Sequence, residues 1–237
     1  MSVWFVTGAS RGFGAEIVEK ALAAGHSVVA TARDPRTISA RFPDAGDQLL
    51  PVALDVLDEA QAAAAVEAAV QRFGRIDVVV NNAGRGLLSA VEEASDAAAR
   101  AVFDTNVFGI LNVQRAVLPT LRAQRSGRIV NLSSIGGFIG SAGWGIYCAT
   151  KFAVEGFSEA LAREVRNASE ANLREGWQLQ DVLIISPTSW DVHKRVAQAL
   201  DEHDTGRTLV VIEGCDAFDR MMTELANGTI WADSAAS

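Results

Sequence analysis

Cysteine is scarce in this chain. Only Cys148 and Cys215 occur among 237 residues, with no CxxC pair and no cluster of cysteine with histidine. This scarcity excludes a disulfide framework and a structural zinc site, and it fits a reducing compartment. The histidines, His26, His193 and His203, are scattered along the sequence. We therefore expect them at the surface and predict no metal site.

Long hydrophobic runs and an excess of positive charge are also absent. No segment reaches the roughly 18 uninterrupted apolar residues of a membrane span, and the chain enters the strand-like run SVWFVTG without a basic leader. Lysine and arginine number 21 against 29 aspartate and glutamate, a net charge of -8, which argues against a nucleic-acid or anionic-membrane surface. The sequence predicts a soluble, cytoplasmic protein with no nucleic-acid and no membrane partner.

What the chain does contain is an alternation of short β-branched runs with longer helical patterns. The run DVVVN is apolar on both faces, which is typical of a parallel sheet covered by helices on both sides. No repeat or composition break marks a second domain, so we predict one doubly wound, Rossmann-type α/β domain over residues 1–237. The predicted strands cover residues 3–6, 27–31, 49–53, 76–80 and 128–132.

Two early helices have clear ends in the sequence. The first is predicted over residues 14–24, with Gly25 as its stop. The second begins at Asp58, whose carboxylate can cap it while Gln61 reaches back, and it runs to residue 72 before Gly74 ends it. Both helices then lie between consecutive strands, as a doubly wound sheet requires.

The loop after the first strand is TGASRGFG. Gly8, Gly12 and Gly14 follow the strand and open the helix, where missing side chains let a pyrophosphate approach the backbone N–H groups at the positive helix end. Glycines are also common at ordinary strand-to-helix turns, and the spacing here is GxxxGxG rather than GxGxxG. We predict that the loop binds a dinucleotide cofactor, with Ser10, Arg11 and Phe13 as further contacts.

The loop after the second strand, VVATARD, bears on which dinucleotide binds. An acidic residue usually holds the ribose of the unphosphorylated cofactor at this position, but here Ala32 occupies it, and Asp34 comes too late. Arg33 and Arg11 can supply guanidinium donors to a 2'-phosphate. Each could also be a solvated surface residue; together they predict NADP(H).

Two further loops fit the same pocket. After the third strand, LDV places Asp55 where it could accept a hydrogen bond from the adenine amino group, with Val56 beside it, although a loop aspartate is often only a turn former. After the fourth strand, NNAG offers Asn81 and Asn82 to neighbouring backbone, or forms an ordinary Asx turn. The small Ala83 and Gly84 leave space against a ribose.

The motifs TGASRGFG, LDV, NNAG, TNVFG, NLSS and YCATK occur in this order, and the chain therefore resembles the short-chain dehydrogenases/reductases over about residues 3–165. The resemblance implies a nicotinamide-dependent oxidoreductase with four catalytic residues. They are Asn106 of TNVFG, Ser134 of NLSS, Tyr147 and Lys151. The separation of Ser134 from Tyr147, 147 − 134 = 13, matches the family and selects Ser134 over Ser133.

Tyr147 is the only tyrosine in the chain and lies four residues before Lys151. On a helix the two side chains share a face. A phenol has a pKa of about 10, and lowering it by about 3 units needs roughly 4 kcal/mol of preferential stabilisation of the phenolate. We expect the Lys151 ammonium to provide part of it. The resemblance implies that the positive charge of the oxidised nicotinamide also stabilises the phenolate. It further implies that Lys151 binds the nicotinamide ribose, that Ser134 hydrogen-bonds the reacting oxygen, and that Asn106 organises a water relay to Lys151.

The resemblance weakens after residue 165. The segment DVLIISPTSW keeps Pro187, but Thr188 replaces a glycine and Val192 occupies the usual place of a threonine. Pro187 and Thr188 are predicted cofactor contacts. Two alternatives stay open: Thr188 or Ser189 substitutes as the hydroxyl donor, or the nicotinamide end of the site is altered. The remaining region, about 166–237, is expected to be short for a substrate lid, with helices over 191–200 and 216–225 and a strand over 208–212.

The sequence predicts an NADP(H)-dependent enzyme that interconverts a carbonyl compound and an alcohol. The substrate is expected to be hydrophobic, because the side chains predicted around the reacting centre are mostly apolar: Leu87, Leu88, Phe138, Ile139, Trp144 and Trp190. A nucleotide-binding regulator or scaffold, and a lyase or epimerase using the same tyrosine base, stay open. The amphipathic patterns over 96–121 and 146–165 resemble the helices through which this family forms dimers and tetramers, so a homodimer or homotetramer is expected.

Overall fold

The computed structural model describes the backbone of residues 1–166, 181–187 and 208–212, and the side chains of residues 1–165. The strands in these residues are β1 (Val3–Val6), β2 (Ser27–Ala32), β3 (Leu49–Ala53), β4 (Val78–Asn81), β5 (Arg128–Leu132), β6 (Asp181–Pro187) and β7 (Thr208–Ile212). They form one sheet in the order β3-β2-β1-β4-β5-β6-β7, and every neighbouring pair is parallel. The predicted doubly wound α/β fold is confirmed.

Helices cover both faces of this sheet. They are α1 (Gly12–Ala23), α2 (Arg36–Arg41), α3 (Glu59–Phe73), α4 (Asp96–Phe103), α5 (Gly109–Gln124) and α6 (Gly145–Arg166). One core cluster joins α1 and α2 to the strands through Ile17, Val18 and Ile38, and a second joins α3, α5 and α6 to the opposite face. Alternate β1 residues enter the two clusters, Trp4 and Val6 on one side and Val3 and Phe5 on the other, because side chains alternate along a strand.

Most of the predicted strands have the expected bounds, but β4 begins two residues later than predicted. Ile76 is buried as a strand residue would be, yet its N–H donates to the side-chain oxygen of Gln124 at 3.0 Å, and its carbonyl accepts from the Gln124 amide at 2.7 Å. A side chain on α5 thus replaces the sheet partners of Ile76. The strand predicted over 208–212 is confirmed as β7, whereas the helices predicted over 191–200 and 216–225 lie outside the described residues.

The predicted caps of α3 are present. The Asp58 carboxylate accepts the N–H groups of Ala60 and Gln61 at 2.9 and 3.0 Å, and Gly74 ends the helix with φ +78°. Gln61 reaches back as predicted: its Nε2 donates to Oδ2 of Asp58 at 2.9 Å, and its Oε1 accepts the N–H of Asp55 at 2.9 Å. The loop after β3 is therefore tied to the start of α3.

The amphipathic pattern over 96–121 is divided in the structure. A π-helical segment, Asp104–Phe108, separates α4 from α5, and it carries Asn106. Such one-turn π segments occur frequently at functional sites. Among the described residues no helix is long and apolar enough to cross a membrane.

Candidate functional site

A cleft of about 1240 Å³ lies at the carboxyl ends of the strands, where β1 has β2 on one side and β4 on the other. Ligands bind at this reversal of strand order in doubly wound sheets. The residues predicted from the sequence that line it are Gly8, Ser10, Arg11, Gly12, Phe13, Arg33, Asp55, Val56, Asn82, Ala83, Gly84, Ser134, Tyr147 and Lys151. Gly14 and Asn106 are buried and are not among the lining residues. Pro187 ends β6, and Thr188, Ser189, Trp190 and Val192 lie outside the described residues.

The glycine loop, TGASRGFG at residues 7–14, packs directly against the loop after β4. Gly8 has φ +66°. A Cβ on Gly14 would collide with the carbonyl oxygen of Gly8 and would lie 2.5 Å from Nδ2 of Asn82. The first turn of α1 follows at once, and no side chain caps it. The helix N–H groups next to Arg11 and Gly12 thus border the cleft without a side-chain cap.

Thr7, which the sequence analysis did not select, joins these two loops. Its Oγ1 accepts the N–H groups of Asn82 and Ala83, both at 3.0 Å, and Nδ2 of Asn82 donates to the carbonyls of Thr7 and Gly8 at 2.8 and 3.1 Å. Asn82 therefore bonds to neighbouring backbone, as predicted. Asn81 does not: its amide donates to the side chain of Asn131 on β5 at 2.8 Å.

At the end of β2, Ala32 and Arg33 line the cleft, which Arg11 of the glycine loop also lines. Asp34 is directed elsewhere. Its carboxylate accepts two side-chain hydrogen bonds from Arg36, both at 2.9 Å, and these lower the pKa of Asp34. The acidic residue nearest to the end of this strand is therefore already paired.

The loop after β3 forms the predicted turn and borders the cleft, and the adenine contact of Asp55 stays a prediction. Oδ1 of Asp55 accepts the N–H of Leu57 at 3.1 Å, which is an Asx turn, and Asp55 also lines the cleft. The backbone of Val56 is attached to α5, because Nδ2 of Asn112 donates a hydrogen bond to the Val56 carbonyl at 2.9 Å. Gly109, the first residue of α5, packs against the Val56 side chain.

Lys151 is 7% exposed and lies at the junction of α6 with the end of β5. Its Nζ donates to the carbonyl oxygen of Leu132 at 2.7 Å and lies 5.8 Å from the centre of the Tyr147 ring. Burial lowers the pKa of Lys151 to about 8, against the opposing effect of Glu155. The ammonium form is thus less favoured here than in water.

The pKa of Tyr147 differs in direction from our expectation. We expected Lys151 to lower it, but in the chain alone it is raised, chiefly by burial, while a side-chain hydrogen bond with Ser134 opposes the rise. The phenol therefore stays protonated at neutral pH, because burial destabilises the phenolate more than the hydrogen bond with Ser134 stabilises it. Ser134, rather than the buried Ser133, is the serine in contact with Tyr147.

Asn106 is fully buried and does not reach the cleft. Its Oδ1 accepts the N–H of Arg85 at 2.8 Å, and its Nδ2 donates to the Arg85 carbonyl at 2.9 Å and to Oγ1 of Thr150 at 3.1 Å. These side-chain bonds were not predicted. The water relay to Lys151 stays a prediction.

The predicted apolar residues are only partly gathered at the cleft. Trp144 lines it and meets Tyr147 edge to face, with ring centres 5.6 Å apart, and Leu88 and Ile139 are exposed. The lining also includes residues that the sequence analysis missed, Leu54, Leu57, Arg85, Gly86, Thr105, Ile135, Gly136, Ser141 and Cys148. Leu54, Thr105 and Cys148 lie inside the quoted motifs LDV, TNVFG and YCATK but were not selected, and the others lie outside those motifs.

Two other predictions concern histidine and metal. His26 is half-buried rather than at the surface, because its ring stacks on Trp4 with centres 5.9 Å apart and its Nδ1 accepts the N–H of Ser2 at 3.3 Å. Within the described part of the chain, no three His, Cys, Asp or Glu side chains form a cluster that could hold a metal ion.

Comparison with known proteins identifies similar oxidoreductases. The chain is 47% identical over 164 residues to Oxidoreductase BOA17 of Botryotinia fuckeliana, which covers 69% of this chain and 60% of that protein. It is 42% identical over 160 residues to the 3-ketodihydrosphingosine reductase of Bacteroides thetaiotaomicron, which covers 68% and 57%. The chain thus spans about three fifths of the length of these curated relatives.

Solved structures are similar over more of their length. A metagenomic short-chain oxidoreductase in complex with NADP is 30% identical, with a TM-score of 0.73 over 90% of this chain and 96% of that one. A 3-ketoacyl-(acyl-carrier-protein) reductase from Brucella melitensis complexed with NADH is 25% identical, with a TM-score of 0.73 over 91% and 98%. A sequence model described as short chain dehydrogenase matches residues 2–169, and the chain belongs to that family.

Proposed function

We propose that this protein is an NADP(H)-dependent oxidoreductase that interconverts a hydrophobic carbonyl compound and an alcohol. The observation that carries the proposal is the meeting of Ser134, Tyr147 and Lys151 in one cleft with the glycine loop. Three separate elements supply them, the loop after β5, helix α6 and the loop after β1. A tyrosine placed for proton transfer beside a dinucleotide site is the arrangement that carbonyl reduction needs.

The residues of the cleft fit a dinucleotide. The volume of the cleft, about 1240 Å³, exceeds the roughly 300–1,000 Å³ of ordinary small-molecule pockets. The uncapped first turn of α1 offers N–H groups and a positive dipole to phosphate, and Gly8 and Gly14 leave no Cβ between the two loops. Asp55 and the small Ala83 and Gly84 border the places for adenine and ribose, with Pro187 and Thr188 proposed at the nicotinamide end.

Preference for NADP(H) rests on the loop after β2. Ala32 replaces the expected acid, and Asp34 is paired with Arg36. Arg33 and Arg11 are both exposed and line the same cleft, so either guanidinium can bond a 2'-phosphate. The similar structures include one with NADP and one with NADH, so the support for NADP(H) comes from Ala32, Arg33 and Arg11 of this chain and from the pairing of Asp34 with Arg36.

The proton chemistry is assigned to Tyr147. Its raised pKa keeps the phenol protonated at neutral pH, which suits donation of a proton to a carbonyl oxygen during reduction. Ser134 bonds to the phenol and would hold the same reacting oxygen. Lys151 would bind the nicotinamide ribose and favour the phenolate that remains after transfer, and Asn106 would support the site from behind. The bound cofactor supplies or accepts the hydride.

A hydrophobic substrate is proposed from the mouth of the cleft. Trp144 stands beside Tyr147, and Leu88 and Val91 pack next to Gly143 and Gly145 at the start of α6. Leu88 and Val91 do not line the cleft, but they are 70% and 68% exposed, and we propose that they contact an apolar substrate that extends beyond Trp144. The name of the Bacteroides relative, a reductase of a ketone, agrees in reaction class.

We also propose a homodimer or homotetramer. Phe108 at the end of the π-helical segment and Phe152 on α6 are both about half exposed, and covering them would bury apolar surface. Closed pairing is the usual form of such assemblies. Sedimentation at micromolar concentration should give a species at least twice the mass of 25.1 kDa, and a monomer would contradict the proposal.

Turnover of NADPH with a panel of ketones and aldehydes tests the function. Apolar ketones should be reduced and charged sugars or hydroxy acids should not. Tight binding of NADPH without turnover of any carbonyl would favour the regulator or scaffold alternative. Proton exchange or elimination on a substrate without consumption of NADPH would favour the lyase or epimerase.

A further inference from the structure

Thr150 is a buried residue whose hydroxyl both donates and accepts a hydrogen bond. It is 0% exposed and lies on α6 between Tyr147 and Lys151. Its Oγ1 donates to the main-chain carbonyl of Tyr147 at 2.7 Å and accepts Nδ2–H of Asn106 at 3.1 Å. Helical threonines commonly bond a carbonyl in the preceding turn, so the bond that distinguishes Thr150 is the one with Asn106.

That bond completes a connection between three segments. Asn106, on the π-helical segment, bonds both the N–H and the carbonyl of Arg85, in the loop after β4. Both donors of its amide are then used, one on Arg85 and one on Thr150. The path from Arg85 through Asn106 and Thr150 to the backbone of Tyr147 is continuous and consists of hydrogen bonds of 2.7 to 3.1 Å.

We propose that Thr150 is a positioning residue, whose hydroxyl holds Asn106 and the Arg85 loop in a fixed place relative to Tyr147. This inference rests on the proposed function for its effect on catalysis, but the link itself is a property of the fold. Gly84 and Gly86 flank Arg85 and line the cleft, so movement of this loop changes the space beside Tyr147. Serine can make both hydrogen bonds and valine can make neither.

The chain offers a matched control. Ser158, two turns further along α6, is also 0% exposed, and its hydroxyl accepts Nδ2–H of Asn131 at 2.8 Å. Ser158→Ala therefore removes a buried hydroxyl from the same helix without touching Asn106 or Tyr147. It reproduces the loss of stability that any such change causes.

The experiment compares Thr150→Val, Thr150→Ser and Ser158→Ala. In Thr150→Val we expect deuterium exchange at residues 82–86 to become faster because Asn106 is no longer fixed, and kcat to fall by about 10-fold to 100-fold with displacement of the reacting groups, while the Kd of NADPH changes less than about twofold. Thr150→Ser should restore both readouts. Ser158→Ala should lower the unfolding midpoint and leave both unchanged.

The exchange readout decides the link even if the unmodified protein has no carbonyl turnover, which would contradict the proposed function alone. Faster exchange in Thr150→Val than in Ser158→Ala, rescued by serine, supports the inference. Equal exchange in the two variants overturns it. In an active protein, an unchanged kcat in Thr150→Val also overturns it.

Discussion

Nζ of Lys151 donates a hydrogen bond to the carbonyl oxygen of Leu132, 2.7 Å away. Leu132 is the last residue of β5, so this bond joins helix α6 to the carboxyl end of that strand, where the cleft opens. A carbonyl only partly replaces the water that an ammonium loses on burial. This is why the pKa of Lys151 falls to about 8.

The first prediction is that this buried lysine makes the protein more stable as the pH rises. With a pKa of about 8 when folded and 10.5 as the reference, the unfolded chain binds more protons between these values, so stability rises with pH in that window. The rise should be about 2 kcal/mol between pH 8 and pH 10, and it should be missing in Lys151→Met. Urea unfolding of both proteins at the two pH values measures it; equal pH dependence would contradict the assignment. Staying at or below pH 10 limits the contribution of Tyr147, whose raised pKa acts in the opposite direction.

The second prediction concerns Gly14, where α1 touches the loop after β1. Gly14→Ala places a methyl group against the carbonyl of Gly8 and the amide of Asn82, and such overpacking should cost about 1–3 kcal/mol. Cofactor affinity should fall because the glycine loop must move. The control is Gly156→Ala on α6, which is exposed and has no atom within 4 Å of the new Cβ; it should stabilise by about 0.5–1 kcal/mol. Urea unfolding that shows the same effect for both would contradict the packing argument.

The strands and the family motifs were predictable because their signals are local. Short, mostly apolar runs predicted the bounds of β1, β3 and β5, and the six short motifs indicated about half of the residues that line the cleft. The start of β4 was not predictable, since Gln124 takes the backbone groups of Ile76 from 48 residues away.

The parts of the site that were missed depend on long-range contacts. Thr7 and Asn82 are 75 residues apart, and Asn106 and Thr150 are 44 apart, so no spacing in the sequence shows that they meet. The direction of the Tyr147 pKa was missed for a similar reason. Helical spacing places Lys151 near Tyr147, but burial of the phenol depends on everything packed around it.

The third prediction tests the choice of cofactor. Arg33→Ala should weaken binding of NADP(H) by about 1.5–3 kcal/mol if Arg33 makes a well-formed contact with the 2'-phosphate, while binding of NAD(H) changes little. Titration of both cofactors against the two proteins measures the ratio of Kd values. Arg100→Ala is the control. Arg100 is exposed, its Nε lies 2.8 Å from Oδ2 of Asp96, and it does not line the cleft. The two variants change the net charge by the same amount. Equal affinity of the unmodified protein for both cofactors would contradict the assignment.

The last prediction separates an enzyme from a binding protein through Tyr147, which is the only tyrosine in the chain. Tyr147→Phe keeps the ring and removes the hydroxyl, so turnover should fall by about 10²- to 10⁴-fold while NADPH affinity changes little. Because no other tyrosine contributes, tyrosinate absorbance reports this residue alone. Its midpoint should lie above the ordinary value in the chain by itself, where burial raises the pKa, and it should fall when NADP⁺ is added, because a nearby positive charge favours the phenolate. The oxidation rate should rise with pH through that lowered midpoint and lose this dependence in the variant. A phenylalanine variant as active as the unmodified protein would show that Tyr147 transfers no proton, and the regulator or scaffold alternative would then be the better account of the cleft.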